Sequence, residues 1–486
     1  MPKTRSSQQQ SSDSLLSKKM KMSGNFMNLD DEVVELILSD LSLVNKLSIR
    51  SVNNKVKTCV DRLLAKQKCI TFINTYGQSC DTMHKYDPKH LVQIYRIGGN
   101  FNDNNHCLVQ LLAKLPNLKH VSFDNNITIT NQMLEFIFNR SPQLDSLSLM
   151  DYRLNYHVFD WKRLGKQLAD KLISLEIECR MNQQISDKEL SHLVSQLVNL
   201  QELKIVGNRH MEKVFNNLGP KVVKLELKYC WKLTVPEIMV LKDKSLEKLV
   251  IWFQPLMSRC HEDIFDCICQ NLTDLKTLKF NHFMKIDSMK IIDNLNQLKT
   301  FNYNFSGHLP TQAPNINFRV YFPLPFGYFA QPMPSLLSLK LTNISLTPLV
   351  LSKWLKILPN LRDLSLDTRF DCICLRNTTG GCHCCVQSCF MYLSHLKNLR
   401  SLHMANPNTT HYYEWLSLVD QITDYTLIAS KVSSKFLIVV LNTLLMLATK
   451  SNRIIRVRLF AASDHIRRNI DGINWSGTKQ LRVITD

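Results

Sequence analysis

The sequence predicts an α/β solenoid, in which short parallel strands lie side by side on one face and helices lie on the other. Three observations support this fold class. An apolar triplet with fixed internal spacing recurs along the chain, its copies are 22 to 29 residues apart between residues 92 and 298, and residues that favour helix starts follow several copies at a nearly constant distance. A unit of this kind cannot bury its apolar face alone, so neighbouring units must stack into one continuous core.

The triplet is an apolar residue, two variable residues, a second apolar residue, one variable residue and a third apolar residue. Its last two apolar positions alternate, so both side chains point to the same side of a strand. The copies begin at Val92, Leu118, Leu144, Leu172, Leu200, Val222, Leu246, Leu275, Leu298, Leu336, Leu361, Leu399 and Ile454, of which the first and last are weaker. This pattern is typical of leucine-rich repeats. It predicts parallel strands on a concave face and helices on a convex face.

The sequence also marks the starts of several helices. The pairs Ser186 with Glu189 and Thr234 with Glu237 have the spacing of capping boxes. Further candidate caps at the same place in their units are Thr130 and Asp287. The ninth position of some units carries a residue that we expect to bond the backbone of neighbouring turns, namely Asn100, Asn126, Asn208 and Cys230.

Composition narrows the location of the protein. Of the 486 residues, 44% are hydrophobic and 21% charged, which is typical of a globular protein. No secretory signal is visible, and the longest apolar run, Phe436 to Ala448, is too short to span a bilayer and predicts a buried helix. We therefore expect no membrane association, a location in the cytoplasm and/or nucleus, and mostly free thiols among the 15 cysteines.

Charge narrows the class of partner. Residues 1–24 form a polar, basic segment that we expect to be a disordered tail, and its run from Lys18 to Lys21 suits either nuclear entry or a solvated charge cluster. The net charge of +19 favours acidic partners. No compact run of Lys and Arg with interleaved aromatics occurs, so nucleic acid is the weaker interpretation.

Residues 25–67 differ from the repeats and predict a small module of three helices. The first helix covers Leu29 to Leu41 and has an acidic first turn, which suits the helix dipole. Ser42 can cap a second helix, and the segment from Ser51 to Asn54 a third. The first helix is apolar on more than one face. About 40 residues cannot bury that much apolar surface, so one side must meet a partner or the solenoid that begins at residue 68.

This module resembles the F-box family. The resemblance rests on Leu29-Asp30-Asp31-Glu32-Val33, Leu36-Ile37-Leu38, Leu41-Ser42, Leu47 and Ile49-Arg50-Ser51-Val52. Asp30 stands where family members usually have Pro, and Val56 where they usually have Trp. The resemblance implies docking onto a Skp-type adaptor and, through it, a cullin–RING ubiquitin ligase. It assigns adaptor binding to Leu29, Glu32, Val33, Leu36, Ile37, Leu41 and Leu47. The alternative is a helical cap on the first repeat.

The strand residues that flank the inward apolar positions form the candidate substrate surface. Lysines dominate this face around one aromatic side chain, and the candidates are Lys204, Lys224, Lys228, Lys248, Trp252, Lys279 and Lys340. Basic and aromatic groups of this kind tend to anchor binding. They indicate an acidic or phosphorylated protein substrate. A solvated charged face is the alternative.

Two insertions interrupt the repeats, at residues 305–334 and 367–390. The first is rich in Pro and aromatics, and it must pack either on the solenoid or on a ligand. The second is rich in Cys, and a tetrahedral zinc site there would use Cys372, Cys374, Cys382 and Cys384. Free thiols in a surface loop are the alternative, and no other cofactor is indicated. Cys267 and Cys269 lie on a predicted helix, where buried thiols are the better interpretation.

No nucleophile motif, phosphate-binding loop or paired-carboxylate pattern stands out, so we expect no catalytic activity. The leading hypothesis is a substrate-recognition subunit of an SCF-type (Skp–cullin–F-box) ubiquitin ligase, with the repeats holding the target protein. The alternatives are a repeat scaffold for protein interactions and an enzyme regulator, both without ligase coupling. The sequence does not identify the substrate.

Overall fold

The chain divides by its contacts into two compact units. The first comprises Met1–Ile185 and Gln196–Asn199, and the second comprises Ser186–Ser195 and Leu200–Asp486. The computed structural model describes residues 29–39, 49, 54–66, 69–74, 93–99, 118–124, 131–150, 160–178, 186–207, 211–229, 233–253, 261–281, 292, 294–304, 332–346, 355–370, 393, 395–404, 422–428, 434–451, 454–460 and 481–485.

The first unit begins with two helices and continues with strands that alternate with helices. Its elements are α1 (Asp31–Ser39), α2 (Asn54–Lys66), β1 (Cys69–Asn74), β2 (Gln93–Gly99), β3 (His120–Asp124), α3 (Asn131–Arg140), β4 (Ser146–Met150), α4 (Trp161–Leu168) and β5 (Ser174–Glu178). The strands pair in chain order, and every pairing is parallel. A strand that is parallel to its predecessor needs a crossover connection, and helices α3 and α4 lie in two of these connections.

The second unit repeats the same plan over a longer segment. Its elements are α5 (Asp187–Gln196), β6 (Glu202–Val206), α6 (Glu212–Asn216), β7 (Lys224–Lys228), α7 (Val235–Met239), a 3-10 helix (Val240–Asp243), β8 (Lys248–Trp252), α8 (His261–Asn271), β9 (Thr277–Asn281), β10 (Thr300–Asn304), β11 (Ser338–Leu346), β12 (Asp363–Phe370), β13 (Ser401–Met404), β14 (Asp424–Ile428), α9 (Ser434–Ser451), β15 (Ile455–Phe460) and β16 (Leu481–Thr485). Strands β6 to β16 pair in chain order and in parallel. The predicted leucine-rich-repeat solenoid of α/β class is thus confirmed.

The register stacks the apolar triplets on top of one another. The middle apolar residues of the second unit are paired from strand to strand and each is at most 1% exposed: Leu203, Leu225, Leu249, Leu278, Phe301, Leu339, Leu364, Leu402, Tyr425 and Val457. Complete burial of one such side chain stabilises the fold by about 1.5–3 kcal/mol. This column of side chains therefore makes a large contribution to stability.

Aromatic rings contact one another in the part of this core between α8 and strands β9 and β10. The ring of Phe280 lies 5.5 Å from that of Phe253 and 5.2 Å from that of Phe265, both in edge-to-face geometry. Phe265 belongs to α8, so the ring contacts join this helix to the strands. Phe265 also approaches Phe301 at 6.5 Å. Pairs of this kind contribute beyond the area that they bury.

A chain of backbone hydrogen bonds runs along the strand entrances. The carbonyl of Gln201 accepts the N–H groups of Val223 and Lys224, and the carbonyl of Val223 accepts those of Glu247 and Lys248. The same double acceptance continues at each following entrance up to Arg400, with further carbonyls at Glu247, Lys276, Lys299, Leu337 and Arg362. In the first unit, Lys119 and Asp145 accept in the same way. The backbone therefore fixes the register at the entrances of β4, β5 and β7 to β14.

The predicted helix starts are confirmed where the structure describes them. Glu189 Oε2 accepts the N–H of Ser186 at 2.9 Å, while the N–H of Glu189 donates to Ser186 Oγ at 3.2 Å. Thr234 and Glu237 form the second capping box, with Pro236 in the first turn of α7. The predicted caps Thr130 and Asp287 lie outside the described residues, as do the ninth-position residues Asn100, Asn126, Asn208 and Cys230.

The helices bear out two further expectations. Cys267 and Cys269 are buried on α8, and burial raises the pKa of the Cys267 thiol. Helix α9 covers the apolar run from Phe436 to Ala448, but it buries one side only, since Leu441 and Leu444 are fully buried while Met446 is 66% exposed. Within the described residues, no helix is both long and apolar enough to cross a bilayer.

The structure contains strands beyond those that the sequence predicts. Strand β14 carries the triplet Ile422, Tyr425 and Leu427, in which an aromatic residue takes the middle position. Strand β16 follows β15 at the end of the unit. Strand β12 extends to Phe370, so the first four residues of the predicted insertion at 367–390 continue a strand. The remainder of that insertion, and residues 305–331 of the other, lie outside the described residues.

Candidate protein-interaction surfaces

Helix α1 has two apolar faces, of which one is buried and the other is exposed. Val34 and Leu38, one turn apart, are fully buried. Val33, Leu36 and Ile37 lie on the other side and are 41%, 72% and 47% exposed. Apolar residues at this spacing form one stripe on a helix. The helix pair formed by α1 and α2 therefore leaves an apolar stripe open to solvent.

The buried face of α1 packs on α2. The side chains that α2 contributes, Val56, Cys59 and Val60, are at most 1% exposed. Val56 thus occupies the core between the two helices.

Ion pairs fix α1 on α2. The Arg62 guanidinium bonds the Asp31 carboxylate and lies 2.9 Å from Glu35 Oε1. Lys55 Nζ lies 3.6 Å from Asp31 Oδ1 and donates to the Leu29 carbonyl. The hydrogen bond from Arg62 holds the pKa of Asp31 below its usual range. These contacts lie at the first turn of α1, where negative charge also suits the helix dipole.

The predicted adaptor-binding residues fall into three groups. Val33, Leu36 and Ile37 are exposed together on α1, and Glu32 is exposed beside them. Leu29 is half-buried just before the helix. Leu41 and Leu47 lie outside the described residues, as does the segment predicted to hold the second of the three helices.

The second candidate surface is the open face of β6 to β11, defined as the strand side chains that alternate with the buried ones. All the predicted lysines lie on it. In the register, Glu202, Lys224 and Lys248 follow one another in one row, while Lys204, Glu226, Val250, Lys279, Asn302 and Lys340 form the next. Trp252 lies opposite Lys228 in a third row and is half-buried rather than exposed.

Carboxylates compensate part of the lysine charge. Lys224 bonds Glu202, and Lys228 Nζ lies 2.6 Å from Glu226 Oε1. Burial alone would raise the pKa of Glu226, but the bond from Lys228 and the charges of Lys204 and Lys248 bring it below its ordinary value. Glu226 is thus an ionised carboxylate with three lysines close to it. The sequence predicted the lysines but not this partial neutralisation.

The turns after β6 and β7 use left-handed backbone at equivalent positions. Gly207 has φ of 83° and donates its N–H to the Lys228 carbonyl at 2.7 Å. Tyr229 has φ of 57° and donates to the Trp252 carbonyl at 2.5 Å. Glycine adopts this region freely, whereas tyrosine is strained there. Tyr229 is also 47% exposed, so the strained turn presents an aromatic ring beside Lys228.

A buried amide does similar work after β8. Asn281 is 4% exposed, and its side chain accepts the N–H of Phe253 at 2.5 Å and donates to the Phe253 carbonyl at 3.2 Å. This is the role that we expected of ninth-position residues. The ninth-position pattern does not predict Asn281, because this residue stands at the seventh position of its repeat, on strand β9 itself.

Polar side chains on the open face of strands β3 to β5 are joined by hydrogen bonds. His120 Nδ1 lies 2.7 Å from Ser146 Oγ, and the Ser148 hydroxyl donates to Glu176 Oε2 at 2.8 Å. Burial lowers the pKa of His120, although the charges of Glu176 and Asp145 oppose this. The hydrogen bonds join β3 to β4 and β4 to β5, so they hold neighbouring strands together.

The predicted zinc ligands are not tested by this structure. Cys372, Cys374, Cys382 and Cys384 all lie outside the described residues. Among the residues that are described, no three His, Cys, Asp or Glu side chains are placed to hold a metal ion. Zinc in the cysteine-rich insertion therefore stays a prediction.

Comparison with known proteins gives structural likeness without sequence likeness. No protein-family model matches the chain, and no curated protein sequence matches it. An internalin from Listeria monocytogenes is 15% identical with a TM-score of 0.37, and covers 81% of this chain and 96% of its own. The yeast Rad7 and Elc1 complex gives 14% identity, a TM-score of 0.39, and coverage of 100% and 98%. The leucine-rich-repeat protein LegL7 from Legionella pneumophila gives 11% identity, a TM-score of 0.34, and coverage of 78% and 98%.

Proposed function

We propose that this protein is the substrate-recognition subunit of an SCF-type ubiquitin ligase. Helix α1 would bind a Skp-type adaptor, and the repeats would hold a target protein for ubiquitination. In this role the chain is a non-catalytic receptor that works in the cytoplasm and/or nucleus. The function of the helix pair and the function of the strand face are separable, so each has its own test.

The observation that carries the proposal is the exposed stripe of Val33, Leu36 and Ile37. These three residues are among those that the F-box resemblance assigns to adaptor binding, and they are exposed while their neighbours Val34 and Leu38 are buried. A helical cap that served only the repeats would have no need of a second apolar face. Exposed apolar patches on soluble proteins mark interaction sites.

The occupant proposed for the stripe is the adaptor, because the surroundings of the stripe fit a protein interface. Interfaces combine an apolar centre with a polar rim. Glu32 is exposed next to Val33 and Leu36, and Asp30 is exposed just before the helix. The ion pairs of Arg62 with Asp31 and Glu35 hold α1 in place. Little ordering of the helix would then be required on binding, which favours affinity.

The test is co-purification of the full chain with a Skp-type adaptor. We expect wild type to retain the adaptor and the double variant Leu36→Asp, Ile37→Asp to lose it by at least tenfold, because charge on the stripe cannot be buried unpaired. Both positions are exposed, so circular dichroism and the unfolding temperature should be unchanged. The matched control is Lys57→Asp, Thr58→Asp on the exposed face of α2, which should bind as wild type does.

The competing function is a repeat scaffold, or an enzyme regulator, without ligase coupling. The open face of β6 to β11 favours it, because that charged surface exists independently of the helix pair. Failure of wild-type protein to retain any adaptor, together with normal capture of a protein partner through the repeats, would establish this alternative and overturn the ligase proposal.

A further inference from the structure

The open face carries an arrangement of like charges that the fold alone does not explain. Lys224 and Lys248 lie directly opposite each other on the neighbouring strands β7 and β8. Adjacent strands are about 4.8 Å apart, and like charges placed opposite each other destabilise a sheet. Glu202 compensates Lys224 from the other side. Lys248 lies close enough to Glu226 to lower its pKa, but Glu226 is shared with Lys204 and Lys228.

Lys279 extends this group on β9. It stands two residues beyond Thr277, the partner of Lys248, and its own partner on β8 is Val250. The diagonal separation of the Lys248 and Lys279 backbones is about 8 Å from the strand spacing and rise, within reach of long side chains. Val250, which lies on β8 opposite Lys279, is only 2% exposed. The surface between the two lysines is therefore apolar. We call Lys224, Lys248 and Lys279 the lysine triad.

The charge around the triad is limited in extent. The four strands β6 to β9 carry five lysines and two glutamates, which leaves a net charge of +3. On β10 the open-face residues are the neutral Thr300 and Asn302. Acidic residues follow on β12 and β14, where Asp363 and Asp424 are close enough for the charge of Asp424 to help burial raise the pKa of Asp363. Beyond β9 the face thus carries neutral residues on β10, Lys340 on β11 and carboxylates on β12 and β14, so the positive charge is concentrated on β6 to β9.

We infer that the lysine triad is a binding site for a short acidic segment of a protein, carrying two or three carboxylate or phosphate groups, with an apolar side chain placed against Trp252. This deepens the proposed function, since it names the substrate class for the same repeat surface. The half-buried Trp252 and the exposed Tyr229 lie at the carboxyl end of β7 and β8, beside Lys228. Aromatic and basic groups together are typical of binding hot spots.

Nucleic acid fits this surface less well. A nucleic-acid backbone presents phosphate at every step and binds by neutralising many of them. Here Glu202 and Glu226 stand between the lysines, and Asp363 and Asp424 lie further along the face. These carboxylates would repel a continuous polyanion. A peptide with a few clustered charges avoids them.

The experiment measures binding of full-length protein to fluorescein-labelled peptides by anisotropy. One peptide contains three Glu and a Leu, a second replaces one Glu with phosphoserine, a third replaces the acids with Lys, and a single-stranded oligonucleotide has the charge of the first peptide. We expect both acidic peptides to bind, the Lys peptide not to bind, and the oligonucleotide to bind more weakly. A stronger signal for the phosphoserine peptide identifies phosphate as the preferred anion.

The variants make the test specific to the triad. Lys248→Glu with Lys279→Glu should weaken binding of the acidic peptide at least tenfold, whereas Lys188→Glu with Lys242→Glu, at exposed helical positions, should leave it within twofold. Lys248→Gln should weaken binding and also raise the unfolding temperature at low salt, because it removes the opposed charge. A purely structural lysine would not give that combination.

Two outcomes overturn the inference: triad variants that bind the acidic peptide as wild type does, or an oligonucleotide that binds more tightly than the peptides. Adaptor co-purification, measured on the same variants, separates this site from the proposed ligase function. Triad variants that keep the adaptor but lose the peptide support the inference. Wild-type protein that binds the peptide but no adaptor preserves it and refutes only the ligase coupling.

Discussion

Glu237 accepts the backbone N–H of Met211 through Oε1 at 3.0 Å, while its Oε2 accepts the N–H of Thr234 at 2.7 Å. One carboxylate therefore satisfies the starts of two successive helices, α6 and α7. The side chain is only 6% exposed, so water cannot replace these bonds. Such a contact should matter more than an ordinary helix cap.

Glu237→Ala is expected to lower the free energy of unfolding by about 2 kcal/mol, since it leaves the buried N–H of Met211 without an acceptor and also removes the cap on Thr234. The matched variant is Glu189→Ala, which removes a solvent-accessible capping box without a third bond and should cost about 1 kcal/mol. Urea unfolding measures the loss of stability in both variants. Hydrogen exchange shows whether the loss in Glu237→Ala is centred on α6 and α7. Equal losses in the two variants would show that the bond to Met211 contributes nothing.

Asp187 should make stability depend on pH. Burial raises its pKa, although the backbone amides of Lys213 and Val214 oppose the shift. Its stabilising contribution is therefore fully present below the pKa of an unfolded aspartate, about 3.9, and is lost as pH rises through the raised folded pKa. Asp187→Asn has no ionisable group at this position and so does not lose stability in this way. Its urea midpoint should therefore rise relative to that of wild type as pH rises from the unfolded pKa through the folded pKa.

Glu226→Gln supplies the opposite sign as a control. The folded pKa of Glu226 is lowered, so its contribution is present above the unfolded pKa and lost as pH falls through the folded one. The stability of the Gln variant should therefore fall below that of wild type as pH rises from the lowered folded pKa through the unfolded one. If both variants follow the same trend with pH, the assigned directions are wrong for one of them.

The left-handed turns give a reciprocal prediction. Gly207→Ala should destabilise the protein by about 1 kcal/mol, because a side chain is strained at its φ of 83°. Tyr229→Gly should relieve a similar strain and so offset most of the stability that is lost with the side chain. Only the contacts of a 47% exposed side chain are removed. Thermal unfolding of the two variants is the measurement. Destabilisation of more than about 1 kcal/mol by Tyr229→Gly would mean that the ring itself is structural.

The side-chain amide of Asn281 should contribute to stability, whereas that of Asn302 on the next strand should not. Asn281→Ala leaves the buried N–H and carbonyl of Phe253 without their partners and should cost about 1–3 kcal/mol. Asn302→Ala, on the half-buried open face of β10, should stay within about 0.5 kcal/mol of wild type. Urea midpoints of the pair compare the two amides directly.

The fold was accessible from sequence because its main determinant is a local pattern. The triplet from Leu200 to Ile205 already states which side chains are buried, and stacking follows from the repeat. Strand β14 escaped because Tyr425 fills a position that elsewhere holds an aliphatic residue. Its ring is large enough to complete the same column of buried side chains, which only the assembled register reveals.

The candidate sites were accessible only in part. Helical spacing predicted two apolar faces on α1, but packing against Val56 and Val60 decides that Val34 is buried and Leu36 exposed. Strand alternation placed the lysines on one face. Other features depend on contacts between neighbouring repeats, which the sequence of a single repeat does not encode. They are the pairing of Lys224 with Glu202, the half-burial of Trp252 and the positive φ of Tyr229.

The double acceptance of N–H groups by one carbonyl at each strand entrance bears on how such a chain diversifies. Because these bonds use only backbone atoms, the alignment of a new strand is set at its first residues, whatever the length of the segment that returns to it. Glu202 and Lys224 are 22 residues apart, whereas Thr300 and Ser338 are 38 apart, yet both pairs are aligned alike. Lineages can therefore lengthen or replace the returning segments, and acquire new recognition loops, without disturbing the strands on either side.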